Sequence, residues 1–238
     1  MNSSTIQTYS GHKLDLLNPD PACIDIKDIA RGLSMQCRYN GQVKEFYSVA
    51  EHSMQVMEQL PKKLKIYGLL HDAAEAYIGD IVSPLKRQIS GLYMTEADIM
   101  CAVCKRFDLD FYIMQSLEVE YADLSVAKKE AETILSHDPI DDWHKDFPDP
   151  KQPVFIFHLM PDIAEDDFLY YFDSLMNSPR LIGYQIFNKK TKALPKDLSP
   201  EVVLSEPTLD LWLNRSLNRN SWQIIEIHED DIDEPVLI

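Results

Sequence analysis

The residues best suited to chemistry in this chain are His52, His71, Asp72 and Asp123. His71 and Asp72 are adjacent inside Leu69-Leu70-His71-Asp72-Ala73-Ala74-Glu75-Ala76, an otherwise apolar helical pattern. An imidazole and a carboxylate buried side by side are costly to desolvate unless something pairs with them, and a divalent metal satisfies both. A lone histidine on an apolar face is usually a satisfied core residue. Two of them with an adjacent aspartate point instead to metal ligation. His52 shares an apolar helical face with Val49, Val56 and Leu60, while Asp123 falls between Val119 and Val126 at helical spacing. Successive helical residues are about 100° apart, so Asp72 can reach a metal held beside His71. Three packed helices would thus bring two imidazoles and two carboxylates to one point. Such a set suits Mn, Fe, Co, Ni or Zn and leaves positions for water and substrate. An ion so held lowers the pKa of water enough to supply hydroxide near neutral pH.

More polar residues gather around the same stretch. Glu75, four residues after His71, shares its helical face, and Asp80 follows Gly79 just past the helix end. Either can act as general acid or base, or hold a further metal through water. Arg38 precedes Tyr39-Asn40-Gly41, and Lys86 follows Pro84-Leu85. A guanidinium and an ammonium beside an acidic metal site are what phosphate oxygens require. Tyr9, Tyr77 and Tyr93 read as packing residues, with Tyr77 near enough to the site to touch a substrate. Asp108, Asp110 and Asp138 read as caps or turn residues. His12, His137, His144, His158 and His228 have no helical partner set and read as surface or core.

The elements that must position these groups are mostly helices. Residues 9–26 read as a loop with a short extended element at Ile24-Asp25-Ile26. Asp28 to Cys37 has helical spacing and ends before the Asn40-Gly41 turn. Ser48-Val49-Ala50-Glu51 has the form of a capping box opening a second helix that Pro61 closes. A third helix is expected over Lys62–Ile78, a fourth from Thr95 to Phe107, and a long fifth from Asp110 to about Leu135. Ser83-Pro84 reads as a loop, as does the Asp- and Pro-rich stretch 138–153. Pro161 to Met176 has the pattern of one more helix. Beyond it, Leu181–Phe187 and Trp222–Ile227 read as strands, with a short helix at Leu209–Leu217 between them. The fold class expected is mainly α, with a domain over 1–176 and a small α+β appendage over 177–238 that ends in the acidic run Glu229–Glu234.

The 238 residues suffice for one good core plus a small appendage. Thirty-nine acids against 23 bases give a formal charge of -16. That surface disfavours long nucleic acids and anionic membranes but leaves small anionic substrates open to a local cluster of cations. No apolar run approaches a membrane span, and the polar start Met1-Asn2-Ser3-Ser4-Thr5 has no secretory h-region. A cytoplasmic protein is expected, with reduced Cys23, Cys37, Cys101 and Cys104. The Cys101/Cys104 pair lacks a second pair for zinc or a βαβ setting for redox work, and reads as core.

The chain resembles the HD-domain metal-dependent phosphohydrolases, most of all the bacterial 5'-deoxynucleotidases and related phage enzymes, including dATP triphosphohydrolases. The resemblance runs from about Gly11 to Leu135. It rests on Asp28-Ile29-Ala30, Cys37-Arg38-Tyr39-Asn40-Gly41, Tyr47-Ser48-Val49-Ala50-Glu51-His52-Ser53 and Leu70-His71-Asp72-Ala73-Ala74-Glu75-Ala76-Tyr77-Ile78-Gly79-Asp80, with Ser83-Pro84-Leu85-Lys86 and Tyr121-Ala122-Asp123. The HD dipeptide alone is a weak signal; the ordered set is a strong one. It implies an HD-domain helical bundle in which His52, His71, Asp72 and Asp123 match the metal ligands. Glu75 and Asp80 match the catalytic carboxylates, and Arg38 and Lys86 the phosphate contacts. Tyr39 stands where these relatives often have Trp beside the sugar. The metal stays open among Mn, Co, Fe, Ni, Zn and Mg. The implied activity is hydrolysis of phosphate ester or anhydride bonds of (deoxy)nucleotides by a homo-oligomer in a bacterial or phage-infected cytoplasm. A cyclic-nucleotide phosphodiesterase and a nucleotide-binding assembly protein without turnover are the alternatives.

Overall fold

The structure is a computed structural model that describes residues 4–177, 181–188 and 222–228. The chain divides into two compact units, residues 1–176 and 177–238. The described part of the first unit is mostly helical, and the described part of the second is a two-stranded sheet.

The first unit opens on an antiparallel hairpin, β1 (Thr5–Gln7) paired with β2 (Lys13–Asp15), in a stretch that sequence patterning reads as loop. Three residues of strand on either side of a glycine turn are too short to carry a periodic signal. Ile24 and Asp25 are extended, as expected, but they pair with nothing as a strand; Asp25 instead caps α1 (Ile26–Met35) by accepting from the Lys27 N–H. In α1 the residues Ile29, Ala30 and Leu33 are buried. Ser48 caps α2 (Val49–Glu58), whose residues 49–57 are all buried, making it the central helix.

The third expected helix is not continuous. It forms a 3₁₀ turn at Lys62–Leu64, then α3 (Lys65–Leu70), a tight turn over 71–74, and α4 (Glu75–Ile78). Across the turn the bonds are of the i→i+3 kind, from Ala73 to Leu70, Glu75 to Asp72, Ala76 to Ala73 and Tyr77 to Ala74. The His71 ring takes the Gly68 carbonyl that a regular helix would give to a backbone N–H.

Ser83–Lys86 is a helical turn (α5), not a loop. The next helix, α6 (Leu92–Arg106), starts before Thr95, which lies inside it with its hydroxyl bonded to the Gly91 carbonyl. Asp110 does cap a helix, but only α7 (Phe111–Met114); a second start at Ser116 opens α8 (Leu117–Thr133). After a stretch with a 3₁₀ turn at Ile140–Asp142, α9 (Pro161–Asn177) closes the unit. In the second unit, β3 (Leu181–Asn188) pairs antiparallel with β4 (Trp222–His228), the two strands expected there. The expected helix at 209–217 and the acidic run 229–234 lie outside the described residues.

Helix α2 packs against α1, α3 and α8, and α1 against α4. Two glycines set those distances. A Cβ on Gly68 would come within 2.6 Å of Leu60 and 2.9 Å of the Met57 backbone, and one on Gly32 within 2.8 Å of Ala76. Close approach there presses the 68–76 stretch onto α1 and α2 and fixes where His71 and Asp72 point. Cys104 is buried and Cys101 partly so, both as free thiols.

Candidate metal centre

His52 comes from the middle of α2, His71 and Asp72 from the turn after α3, and Asp123 from α8. The four converge. One ligand atom from each of His52, His71 and Asp72 lies within 4.8 Å of the other two. His71 Nε2 is 3.1 Å from Asp72 Oδ2, and His52 Nε2 is 3.8 Å from the same oxygen. Asp123 Oδ1 lies 3.0 Å from His52 Nε2 and 3.8 Å from His71 Nε2. Ligands about 2.1 Å from one ion sit roughly 3–4 Å from each other, so these spacings fit a single divalent metal.

The proton positions support the same conclusion. His52 Nδ1 is 2.7 Å from Glu130 Oε1, and His71 Nδ1 is 2.8 Å from the Gly68 carbonyl. A carboxylate and a carbonyl only accept, so each Nδ1 carries the hydrogen. Each neutral ring then turns the lone pair of Nε2 toward the aspartates. Both Nε2 atoms are buried and lack a hydrogen-bond partner. Lone pairs facing carboxylate oxygens need a cation between them. The cluster is therefore positioned to chelate a divalent metal. Without one, protons fill the role. Burial pulls the His71 pKa down, but Asp72 and Asp123 outweigh it and hold it at about 9. His52 is also raised, burial and Arg38 being outweighed by Glu130 and Asp123. Asp72 and Asp123 are lowered despite burial, chiefly by the facing imidazoles.

Glu130 joins this cluster, although local sequence reasoning does not single it out. It is fully buried on α8, seven residues after Asp123 and so on the same face. That spacing was the available signal. Besides His52, its carboxylate accepts from Arg38 Nε at 3.1 Å and Tyr39 Oη at 3.0 Å. Burial would raise its pKa, but Arg38 and His52 hold it at about 2. Arg38 also reaches Asp72 at 3.7 Å and lies over the Tyr39 ring at 5.4 Å.

Glu75 and Asp80 flank the centre rather than join the close set. Burial, then the charges of Asp72 and Asp80, hold the Glu75 carboxyl well above its usual range. Asp80 is likewise raised, by burial first. Glu75 Oε2 and Asp80 Oδ2 are buried without a hydrogen-bond partner. Lys86 Nζ is 3.3 Å from Glu75 Oε1 and 2.6 Å from Glu96 Oε1, a partner that sequence patterning did not single out. Gln36 holds the far end of the stretch by donating to the Glu75 carbonyl and accepting from the Asp80 N–H. Tyr77 packs in the core as expected: its ring is buried, and its pKa is raised by burial and then by the Asp28 charge.

The capping box is only half made. Ser48 Oγ accepts from the Glu51 N–H, but the Glu51 carboxylate turns away to accept from the N–H groups of Phe157, His158 and Leu159. Gln55 and Gln59 on the same face bond the backbone at Phe155 and Gln152, so α2 also anchors the segment 152–159.

Among the described residues, no helix is long and apolar enough to cross a membrane. No protein-family model matches the chain. Two known proteins are similar to it. An uncharacterized protein of Rhodobacter capsulatus is 39% identical over 137 residues, which covers 52% of this chain and 70% of that protein. The uncharacterized protein YfdR of Escherichia coli K12 is 38% identical over 123 residues, 51% of this chain and 67% of YfdR.

Proposed function

The chain belongs to one family with YfdR and its Rhodobacter capsulatus relative, and from its site we propose that it is a metal-dependent phosphohydrolase of the HD type acting on nucleotides. The observation that carries this reading is the pair of anchored imidazoles whose buried Nε2 atoms face two aspartates. His52, His71, Asp72 and Asp123 would hold the metal. A divalent ion there supplies Lewis acidity and acidifies water at neutral pH.

The remaining residues divide the work by charge. Glu75, buried and kept protonated more readily than an ordinary carboxyl, is suited to deliver a proton to a leaving oxygen; Asp80 shares the same acidic pocket. Arg38 and Lys86 supply the positive charge that phosphate oxygens need, the first beside Asp72 and the second beside Glu75. Tyr39, fixed by its bond to Glu130, would lie along the sugar. In this proposal residues 1–176 form an HD helical bundle that carries the chemistry, and 177–238 are a small appendage. The protein works as a cytoplasmic homo-oligomer on mononucleotides, not on long nucleic acids or at a membrane.

The test is metal analysis of the purified protein together with a panel of dNMPs, dNTPs, NTPs and cyclic nucleotides in Mn, Co and Mg, with products resolved as phosphate, pyrophosphate or triphosphate. Release of one of these from a linear nucleotide is the expected result. Turnover of cyclic nucleotides alone would move the chain to the phosphodiesterases. A metal-loaded protein that binds nucleotides and releases nothing would make it a binding protein.

A further inference from the structure

Outside the metal centre the first unit holds an open cavity of about 520 Å³, lined by the turn at Gly41–Val43 and by the segment from Leu135 to Trp143. We infer that this cavity seats the nucleobase of the substrate. The inference deepens the phosphohydrolase reading and rests on it for the identity of the rest of the substrate.

Continuity with the metal centre is the first argument. Arg38 touches Asp72 and Glu130; Tyr39, the next residue, hangs from Glu130 by its hydroxyl. The ring of Trp143 lies 6.4 Å from that of Tyr39, and Trp143 walls the cavity. With the phosphate beside Asp72 and the sugar along Tyr39, as the proposed function has them, the far end of the ligand comes beside Trp143.

The lining chemistry is the second. No Lys or Arg lines the cavity, and Asp138 does, so a phosphate is excluded there and an uncharged group is favoured. Trp143 and Ile140 offer apolar surface that stands 42% and 82% exposed. Trp143 is steadied edge-on by His144 and Phe147, leaving a rigid flat wall for a ring to stack on. Gln42, His137 and Asp138 supply donors and acceptors for the edge of a heterocycle.

Backbone strain is the third. Tyr39 and Asn40 have φ of 55° and 52°, and Asp141 and Asp142 have φ of 60° and 52°. Left-handed pairs of non-glycine residues are uncommon, and strained backbone of this kind gathers at ligand clamps. Here one strained pair leads into each of the two walls. A pyrimidine or purine fits between them in size and chemistry.

The test uses the full chain with Trp143→Ala and, because Trp143 also packs on its neighbours, the exposed Ile140→Ser as a second variant. Binding of 2'-deoxyadenosine, which carries no phosphate, is followed by equilibrium dialysis with and without metal. KM and kcat are compared for a nucleoside monophosphate and for glycerol phosphate, which has no ring. Each variant should weaken deoxyadenosine binding and raise the nucleotide KM about tenfold or more, with kcat and the glycerol phosphate KM changed less than about twofold; Trp143→Phe should recover most of the loss. Undiminished deoxyadenosine binding in folded variants, or an equal KM rise for both esters, overturns the inference. A wild type that hydrolyses nothing yet binds deoxyadenosine through Trp143 would sink the phosphohydrolase reading and leave the cavity assignment standing.

Discussion

The two histidines of the metal centre are held by different means. His52 sits in the middle of α2, fully buried, and its Nδ1–H goes to a carboxylate that lies 78 residues away and also carries Arg38 and Tyr39. His71 ends α3, and its Nδ1–H goes to a carbonyl three residues back on its own turn. The first ring is oriented by a charged network spanning several elements, the second by local backbone. A carboxylate behind an imidazole raises its basicity as a ligand; a carbonyl mainly fixes the tautomer. Half of the site can therefore be dismantled by one distant side chain, while the other half can be removed only by changing the ligands themselves.

The largest expected effect lies in the self-contained half. Asp72→Ala deletes a carboxylate 3.1 Å from His71 Nε2 and 3.7 Å from Arg38. Loss of an indirect support costs about 10–100-fold in metal affinity, so loss of Asp72 itself should exceed ~100-fold and abolish turnover. Metal content after dialysis and residual phosphate release measure this. Full occupancy in the variant would show that the two histidines and Asp123 suffice, and that the local turn is not the heart of the site.

Next in size is Glu75→Ala. Glu75 flanks the centre without joining the close donor set. The variant should keep its metal and lose about two orders of magnitude or more in kcat, the usual scale for a positioned acid or base. Near-normal kcat would reassign Glu75 to holding Lys86.

Glu130→Gln probes the network half directly. The amide keeps an acceptor for His52 but removes the charge that offsets Arg38. Metal affinity should fall about 10–100-fold, and the fold should lose on the order of 3–5 kcal/mol, as when a buried ion pair loses one member. Metal titration and chemical denaturation report the two separately. A variant with unchanged metal affinity would leave Glu130 as a partner of Arg38 and Tyr39 only, and would erase the difference drawn between the two histidines.

The same difference decides what could be read from the sequence. His71, Asp72, Glu75 and Asp80 fall within ten residues and were legible as a cluster, as was His52 on a helix whose serine cap and apolar face are unambiguous. Glu130 was not singled out, because an acid in a charged helical stretch looks like surface until tertiary contacts bury it. The single helix expected at 62–78 breaks because the His71 side chain competes for a backbone carbonyl, which residue periodicity does not register. Glu51 matched a capping box, yet its carboxylate is taken by a segment more than 100 residues later. The longer helices follow from local pattern; the short turn of α5, helix ends and the partners of buried acids follow from packing between distant segments.

The smallest expected effect concerns pH, and it separates the metal-loaded from the metal-free protein. In the metal-free fold His71 is held at about 9 by Asp72 and Asp123, against roughly 6.5 when unfolded. A raised folded pKa gives stabilisation that is complete below the unfolded value and is lost as pH rises through the folded one. The chelator-treated protein should therefore melt a few degrees lower at about pH 9.5 than at about pH 6.5. Metal binding requires Nε2 without its proton, so metal affinity should rise over the same window and the loaded protein should not show the fall. Glu75, also raised, contributes with the same sign as its carboxyl ionises, so the comparison is made in a Glu75→Gln background. Scanning fluorimetry with and without chelator measures both curves. A metal-free melting temperature that is flat or rising from pH 6.5 to 9.5 would show that His71 is not paired with the aspartates as described.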